Sequence, residues 1–214
     1  MRIAAMDPSP DLAVVHCSGA LGLDALSPLR TNPRGSFHPL QSFPAPRSRE
    51  AFKGITIAVD ATTPPLLGRL RELARILGAR PRRVRDSERV LYHAAAVFAS
   101  NYVVATVAEG ARLLEVAGWN RAEAEAALLP LVDGVVANLK RQGIVGALTG
   151  PVRRGDVETV RRHLEVVENP DLYRMLALVA LEIAQQAGLD SAAAERTRRA
   201  LTRNVAATRR RSGT

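Results

Sequence analysis

A few polar side chains stand where chemistry could be done, at the ends of apolar segments or on one face of a helix. His38 arrives at the end of the short run "GSFHPL", and Pro39 keeps that run from continuing as a regular strand. A neutral imidazole there can give or take a proton near pH 7. Ser18, with Gly19 after it, closes the apolar run "LAVVHCSGA". Its hydroxyl and the amide that follows could orient a ligand carbonyl or a histidine. In "YHAAAVFASN", His93 and Asn101 lie eight positions apart, two helical turns and a little more, so both fall on one face with Val97 between. The alanines around them leave room for a ligand or for another helix. In "ALTGPVRRGD", exposed amides at a helix start together with Arg153 and Arg154 could hold a carboxylate or a phosphate.

Each feature also has a plainer reading. His38 could do no more than bond a nearby carbonyl, and Ser18-Gly19 could be an ordinary turn. His93 and Asn101 could be core residues, and Arg153 and Arg154 solvated loop charges. Tyr92 and Tyr102 have no special spacing and read as boundary residues. Cys17 reads as a small buried residue, because nothing beside it in sequence would lower its pKa. The sequence contains no metal-ligand cluster, P-loop, G-x-S-x-G or G-x-G-x-x-G motif.

The elements that must position these residues follow from the apolar pattern. Three short strands are expected before residue 62: the run ending at Ser18, "GSFHPL", and the β-branched "GITIAVDA". Thr63 then caps a helix that starts at Pro64, carries leucines at helical spacing and stops at Gly78. "RPRRVRD" could add an edge strand. Strand, helix, strand in this order indicates an open α/β sheet, here a partial one, over residues 1–86.

From Ser87 the pattern is helical, which makes 87–208 an all-helical second domain and 209–214 a disordered basic tail. A first long helix is expected to reach Ala117, about 45 Å at the usual rise per residue. The next starts at Asn120 with a capping box to Glu123, and Pro130 should kink or split it. Gly143 to Gly155 reads as a glycine-rich loop, Asp156 caps a further helix, and two more helices follow.

The 214 residues, 47% apolar and 24% charged, suit one large domain or two small ones. No apolar run is expected to approach the ~20 residues of a bilayer span. One cysteine and no signal-like N-terminus point to a reducing cytoplasm. Of the basic residues behind the net charge of +9, only Lys53 and Lys140 are lysines, in keeping with the codon bias of a GC-rich bacterial genome. The arginines gathered between Arg196 and Arg211 keep open a nucleic-acid-associated protein. Aromatics at only 4% argue against a single-strand binding face.

Four segments, "VVHCSGA", "GSFHPLQSF", "LYHAAAVFASNY" and "ALTGPVRRGD", carry a resemblance in their order and content. From about Leu12 to about residue 185 the chain resembles the Rossmann-like oxidoreductases catalogued as domain of unknown function twenty-five-twenty. These look like relatives of dehydrogenases with a helical 6-phosphogluconate-dehydrogenase-type C-terminal domain. The resemblance implies a truncated Rossmann-type parallel sheet followed by such a helical domain, an NAD(P) cofactor, a small-molecule substrate and a homodimer. It places acid/base work on His38, with Ser18 assisting, and puts Ser18 and Gly19 beside the cofactor. Substrate contacts would fall on His93, Asn101, Arg153 and Arg154. Relatives begin with a strand, a G-x-G-x-x-G turn and a helix that have no counterpart here, so dinucleotide binding is expected to be lost or weakened. Either the given start is late or the chain is a remnant. The expected function is the C-terminal portion of an NAD(P)-dependent oxidoreductase of unknown substrate. A non-catalytic dimerisation module is the alternative.

Overall fold

The structure is a computed structural model and describes residues 8–202; the expected tail at 209–214 and the last residues of the expected helical domain, 203–208, lie outside the described residues. The chain divides into two compact units, Met1–Ala105 and Thr106–Thr214. The division falls inside a helix, later in the chain than the change of pattern at residue 87.

The first unit is built on four strands, β1 (Val14–His16), β2 (Arg34–Pro39), β3 (Thr56–Ala61) and β4 (Arg80–Arg83), lying side by side in that order. β1 pairs with β2 and β3 with β4 in parallel, while β2 and β3 are antiparallel. This is a partial Rossmann-like sheet, mostly but not wholly parallel. The β1–β2 crossover carries only a 3-10 turn, Leu23–Leu26, whereas the β3–β4 crossover contains α1 (Pro64–Ile76). β1 is shorter and more exposed than its apolar sequence suggests, because it sits at the sheet edge with Val15 open to solvent. Cys17 just beyond it is exposed rather than buried for the same reason.

Alternation along the strands separates two faces. Phe37, Ile57, Val59 and Ala61 point to one, where Leu66, Leu67, Leu70 and Ala74 of α1 cover them. Pro64 at the helix start and Gly78 with φ +77 just past its end explain the length of α1. Gly35 lets α1 pack close on this face, since a Cβ there would come within 2.9 Å of Leu70 Cδ1 and force that side chain to shift. Ser36 and His38 fall on the other face by the same alternation, in register with Asp60 and Ala58.

The long helix expected from Ser87 is broken. A 3-10 turn (Asp86–Glu88) leads into α2 (Arg89–Ala99), and α3 (Asn101–Val116) follows after Ser100, whose φ −130 and ψ −77 leave the helical region. The Ser100 hydroxyl stands 2.7 Å from the Ala96 carbonyl and 2.9 Å from Asn101 Oδ1, with one proton to serve both. A serine bonded back to the previous turn bends helices in this way.

The second unit is helical: α4 (Arg121–Ala147), α5 (Gly150–Arg154), α6 (Val157–Val166), α7 (Pro170–Gln186) and α8 (Ser191–Thr202) follow the end of α3. The capping box at α4 forms as expected, with Asn120 Oδ1 accepting from the Glu123 amide at 3.0 Å. The break in α4 comes at Gly143, with φ 68, and not at Pro130. Pro130 lies on an exposed stretch where water can serve the carbonyl it leaves free. Most of the loop expected from Gly143 to Gly155 is helical, ending in Gly155 at φ 67. Val152, Val160, Leu164, Leu181 and Leu201 form the core.

Candidate functional site

On the face of the first unit opposite α1, the end of β2 and the helix α2 enclose a cleft of about 700 Å³. His38, Gln41, Tyr92, His93, Ser100 and Asn101 line it among small alanines. The sequence explains the placement. Arg89, Tyr92, His93, Ala96 and Ser100 recur at helical spacing and share one side of α2, and Pro39 ends the strand just past His38.

Within the cleft wall, His38 Nδ1 lies 2.7 Å from the Tyr92 hydroxyl, and the two rings meet edge to face at 5.6 Å. The other side of the His38 ring rests on Gly19. A Cβ at residue 19 would stand 2.7 Å from His38 Cε1, 2.8 Å from Nε2 and 3.0 Å from His93 Cδ2. Only glycine lets the two imidazoles and the turn after β1 close together.

Burial is the main cause that lowers the His38 pKa, and the nearness of His93, Arg89 and His16, which would repel a charged ring, lowers it further. Burial raises the Tyr92 pKa, with Arg89 opposing. At pH 7 the pair is therefore a neutral imidazole beside a protonated phenol, sharing one proton along the 2.7 Å contact.

Arg89 anchors α2. Its side chain is 1% exposed, it donates from Nη1 to the Ser18 carbonyl at 3.3 Å, and Nη2 bonds the Ser36 hydroxyl. Its Nε has no hydrogen-bond partner, but the Asp86 carboxylate is 3.5 Å away and balances the charge. Asp86 in turn accepts the Leu23 amide at 3.0 Å. His16 joins this base, with Nε2 at 3.1 Å from the Gly22 carbonyl and Nδ1 accepting from the Ser18 amide at 3.2 Å. Since a carbonyl only accepts, the proton of His16 sits on Nε2.

Ser18 is committed to its own turn, its Oγ accepting from the Ala20 and Leu21 amides at 3.3 and 3.2 Å. Of the residues singled out in sequence, the structure brings His38, His93 and Asn101 to one cleft and sets Gly19 against both imidazoles. Arg153 and Arg154 belong to the second unit, where Arg153 Nη2 donates to the Ala187 carbonyl at 2.9 Å, at the end of α7. Tyr92, a boundary residue by its sequence, instead bonds His38 in the cleft wall, and Arg89 is not singled out by the sequence reading. The available signal was a lone arginine opening the otherwise apolar helix "RVLYHAAAVFA", with Asp86 three residues before it and Tyr92 three after.

A mostly parallel, Rossmann-like sheet with a cleft at a strand end, followed by a helical unit, defines an oxidoreductase-like fold. The chain belongs to the family described as domain of unknown function (DUF2520), whose profile matches residues 55–180. Its structure is similar to that of protein TM1727 from Thermotoga maritima, with a TM-score of 0.70 and 28% identity over 81% of this chain and 69% of that one. It is also similar to a "putative NADP oxidoreductase", BF3122 from Bacteroides fragilis, with a TM-score of 0.66 and 25% identity over 81% of this chain and 65% of that one. No curated protein matches significantly.

Proposed function

We propose that the cleft on the first unit is the substrate half of an oxidoreductase site, in which His38 and Tyr92 handle the proton that accompanies reduction or oxidation at a carbonyl or imine carbon. The observation that carries this reading is the 2.7 Å contact between His38 Nδ1 and Tyr92 Oη in the wall of a ligand-sized cleft. A phenol hydrogen-bonded to an imidazole that stays neutral at pH 7 can donate toward a substrate oxygen or nitrogen and be reprotonated through the ring. His93 and Asn101 line the cleft as contacts for the polar end of a substrate. The similarity to a described NADP oxidoreductase supports the reaction class.

The family reading implies NAD(P), and the described residues do not fit its pyrophosphate. The turn after β1 has its Ala20 and Leu21 amides bonded to Ser18 Oγ and its Leu23 amide bonded to Asp86. Gly19 in this turn is packed against two imidazoles, and Gly22 is packed against the Asp24 and Asp86 carboxylates. Three of the amides that could cradle an anion in this turn are thus already used. We infer that Ser18 and Gly19 shape the site and that dinucleotide binding by these residues is weak or lost.

The test is substrate binding, read by NMR of the histidine rings. Titration of the chain with a panel of small 2-oxo and imino acids should shift the His38 and His93 ring signals saturably. Those shifts should weaken in Asn101→Ala. No shift from any member of the panel would overturn the reading.

A second reading, a non-catalytic dimerisation module, is favoured by one observation. Large apolar side chains stay exposed on α2, α3, α4 and α7, among them Phe98, Val104, Leu131, Val135 and Met175. Contrary to the expectation from sequence, the helical stretch Asp86–Val116, 31 residues long, is by length and composition apolar enough to cross a membrane, and its most apolar part is not buried. We propose that a second copy of the chain covers these faces, which is compatible with either reading.

A further inference from the structure

We propose that a cleft of about 490 Å³ at the β4 edge of the first unit is a binding site for a diphosphate-bearing small molecule. Arg71 of α1, Arg82 and Arg83 of β4, Arg85, Pro81 and Glu88 line it. Four arginines thus line one concavity with a single carboxylate among them. That carboxylate is engaged, since Glu88 Oε2 accepts the Arg85 amide at 2.8 Å.

One arginine is held in place from below. Asp60 is buried in the sheet and binds Arg83 Nε at 2.8 Å, which fixes one edge of a guanidinium whose residue lines the cleft. Among the described residues, Arg71, Arg82 and Arg85 have no ion pair to a carboxylate. Like charges gathered in a concavity repel one another more than charges spread over a convex surface, because the low-dielectric walls focus their field. A ligand of two or three negative charges removes that repulsion.

Guanidinium forks match phosphate oxygens two at a time. The cleft volume is within the range of small-molecule sites, about 300–1,000 Å³, which leaves room for two linked phosphates. Arginines on an edge strand also serve to keep strands of other molecules away, with Pro81 helping by lacking an amide. That function needs charge on the edge but no particular arginine, and this difference makes the proposal testable. The site is independent of the His38 cleft, and its test does not depend on the proposed reaction.

Isothermal titration of the full chain with inorganic pyrophosphate at low salt should give saturable one-to-one binding. Arg82→Ala and Arg85→Ala, both at exposed positions, should keep the melting transition and each weaken binding about tenfold, the loss expected for a charge-assisted hydrogen bond. Arg69→Ala, which removes the same charge from an exposed site on α1, should leave binding unchanged. A parallel titration with ADP separates the sources of the diphosphate: tighter binding of ADP points to a nucleotide, equal binding to the diphosphate alone. Absence of saturable binding, or equal losses from Arg69→Ala and Arg82→Ala, would overturn the site in favour of diffuse attraction to a basic chain.

Discussion

His38 Nδ1 and the Tyr92 hydroxyl share a hydrogen bond of 2.7 Å, although the residues lie 54 positions apart. The end of β2 supplies one and the first turn of α2 the other, so the pair exists only once the helix is seated on the sheet.

Removing the hydroxyl tests the pair directly. Tyr92→Phe keeps the ring stacked edge to face but leaves His38 Nδ1 half-buried without a partner. A net loss of about 0.5–1.5 kcal/mol in stability is expected from one hydrogen bond, read as a lower urea midpoint at unchanged slope. In the same variant the proton exchange of the His38 ring should change while its shift on ligand binding survives. A loss of all ligand-induced shifts would show that Tyr92 only holds the cleft open.

Gly19→Ala adds one methyl where none fits. The new Cβ would sit 2.7–3.0 Å from atoms of both His38 and His93, and neither ring can withdraw without losing its place in the cleft. Overpacking of this kind costs about 1–3 kcal/mol. Histidine ring signals should move for both residues together, whereas Gly68→Ala, with open space around it, should move neither and gain a little helix stability.

Arg89→Met is expected to be the costliest of the single changes. It would strand the buried Ser36 hydroxyl and the Ser18 carbonyl, at about 1–3 kcal/mol for each unsatisfied polar group, while the half-exposed Asp86 carboxylate stays solvated. Lysine should not rescue it, because one ammonium cannot span both Nη contacts. Chemical denaturation of the three proteins checks this. Wild-type stability in Arg89→Met would mean that α2 is held by its apolar contacts alone.

The outline of the fold is legible in the sequence, and its joints are less so. β3, α1 and the Asn120 capping box follow from strong local signals: β-branched runs, leucines at helical spacing, and paired caps. The break at Ser100 does not, because the apolar pattern runs on across it from α2 into α3 and the bend depends on one hydroxyl choosing a carbonyl. The antiparallel pairing of β2 with β3 is equally silent, since a strand's pattern does not record its direction. At the site, His38, His93 and Asn101 are visible as polar residues at telling positions. Arg89 and Tyr92 are not, because their meaning lies in the Ser18, Ser36 and His38 groups that they meet across the fold.

Stability should fall as the solution is acidified through the histidine range. His38 and His16 both have pKa values below the usual 6.5, burial being the first cause in each, with Arg89 adding to both. In the unfolded chain they protonate at the ordinary value, so at mildly acid pH the unfolded state binds more protons than the folded one. The stabilisation from keeping them neutral is fully present above about pH 6.5 and is lost as pH falls toward the folded values. Thermal melts across pH 5 to 8 should therefore show a falling midpoint below pH 6.5, and His38→Gln should flatten part of that slope. A midpoint that rises on acidification would contradict the buried, neutral state of these rings.

The apolar helix faces lead to a last prediction, about assembly. Leu131, Val135, Val136 and Leu139 on α4 and Met175, Leu176 and Val179 on α7 all stay open to solvent in the single chain. Monomers rarely leave apolar patches beyond a few hundred Å² uncovered, while a stable protein–protein interface takes about 1,600 Å² in total. Helices this apolar supply that area if two copies meet. Light scattering at low micromolar concentration should give twice the 23.0 kDa of one chain. Replacing Leu131 and Val135, four residues apart on one helical face, by aspartate should shift the mass to a monomer. The monomer should keep its helical circular dichroism, because both side chains lie outside the second unit's core of Val160, Leu164, Leu181 and Leu201. A wild-type chain that stays monomeric in buffer but sediments with lipid vesicles would overturn the dimer, and would show that a bilayer covers these faces instead.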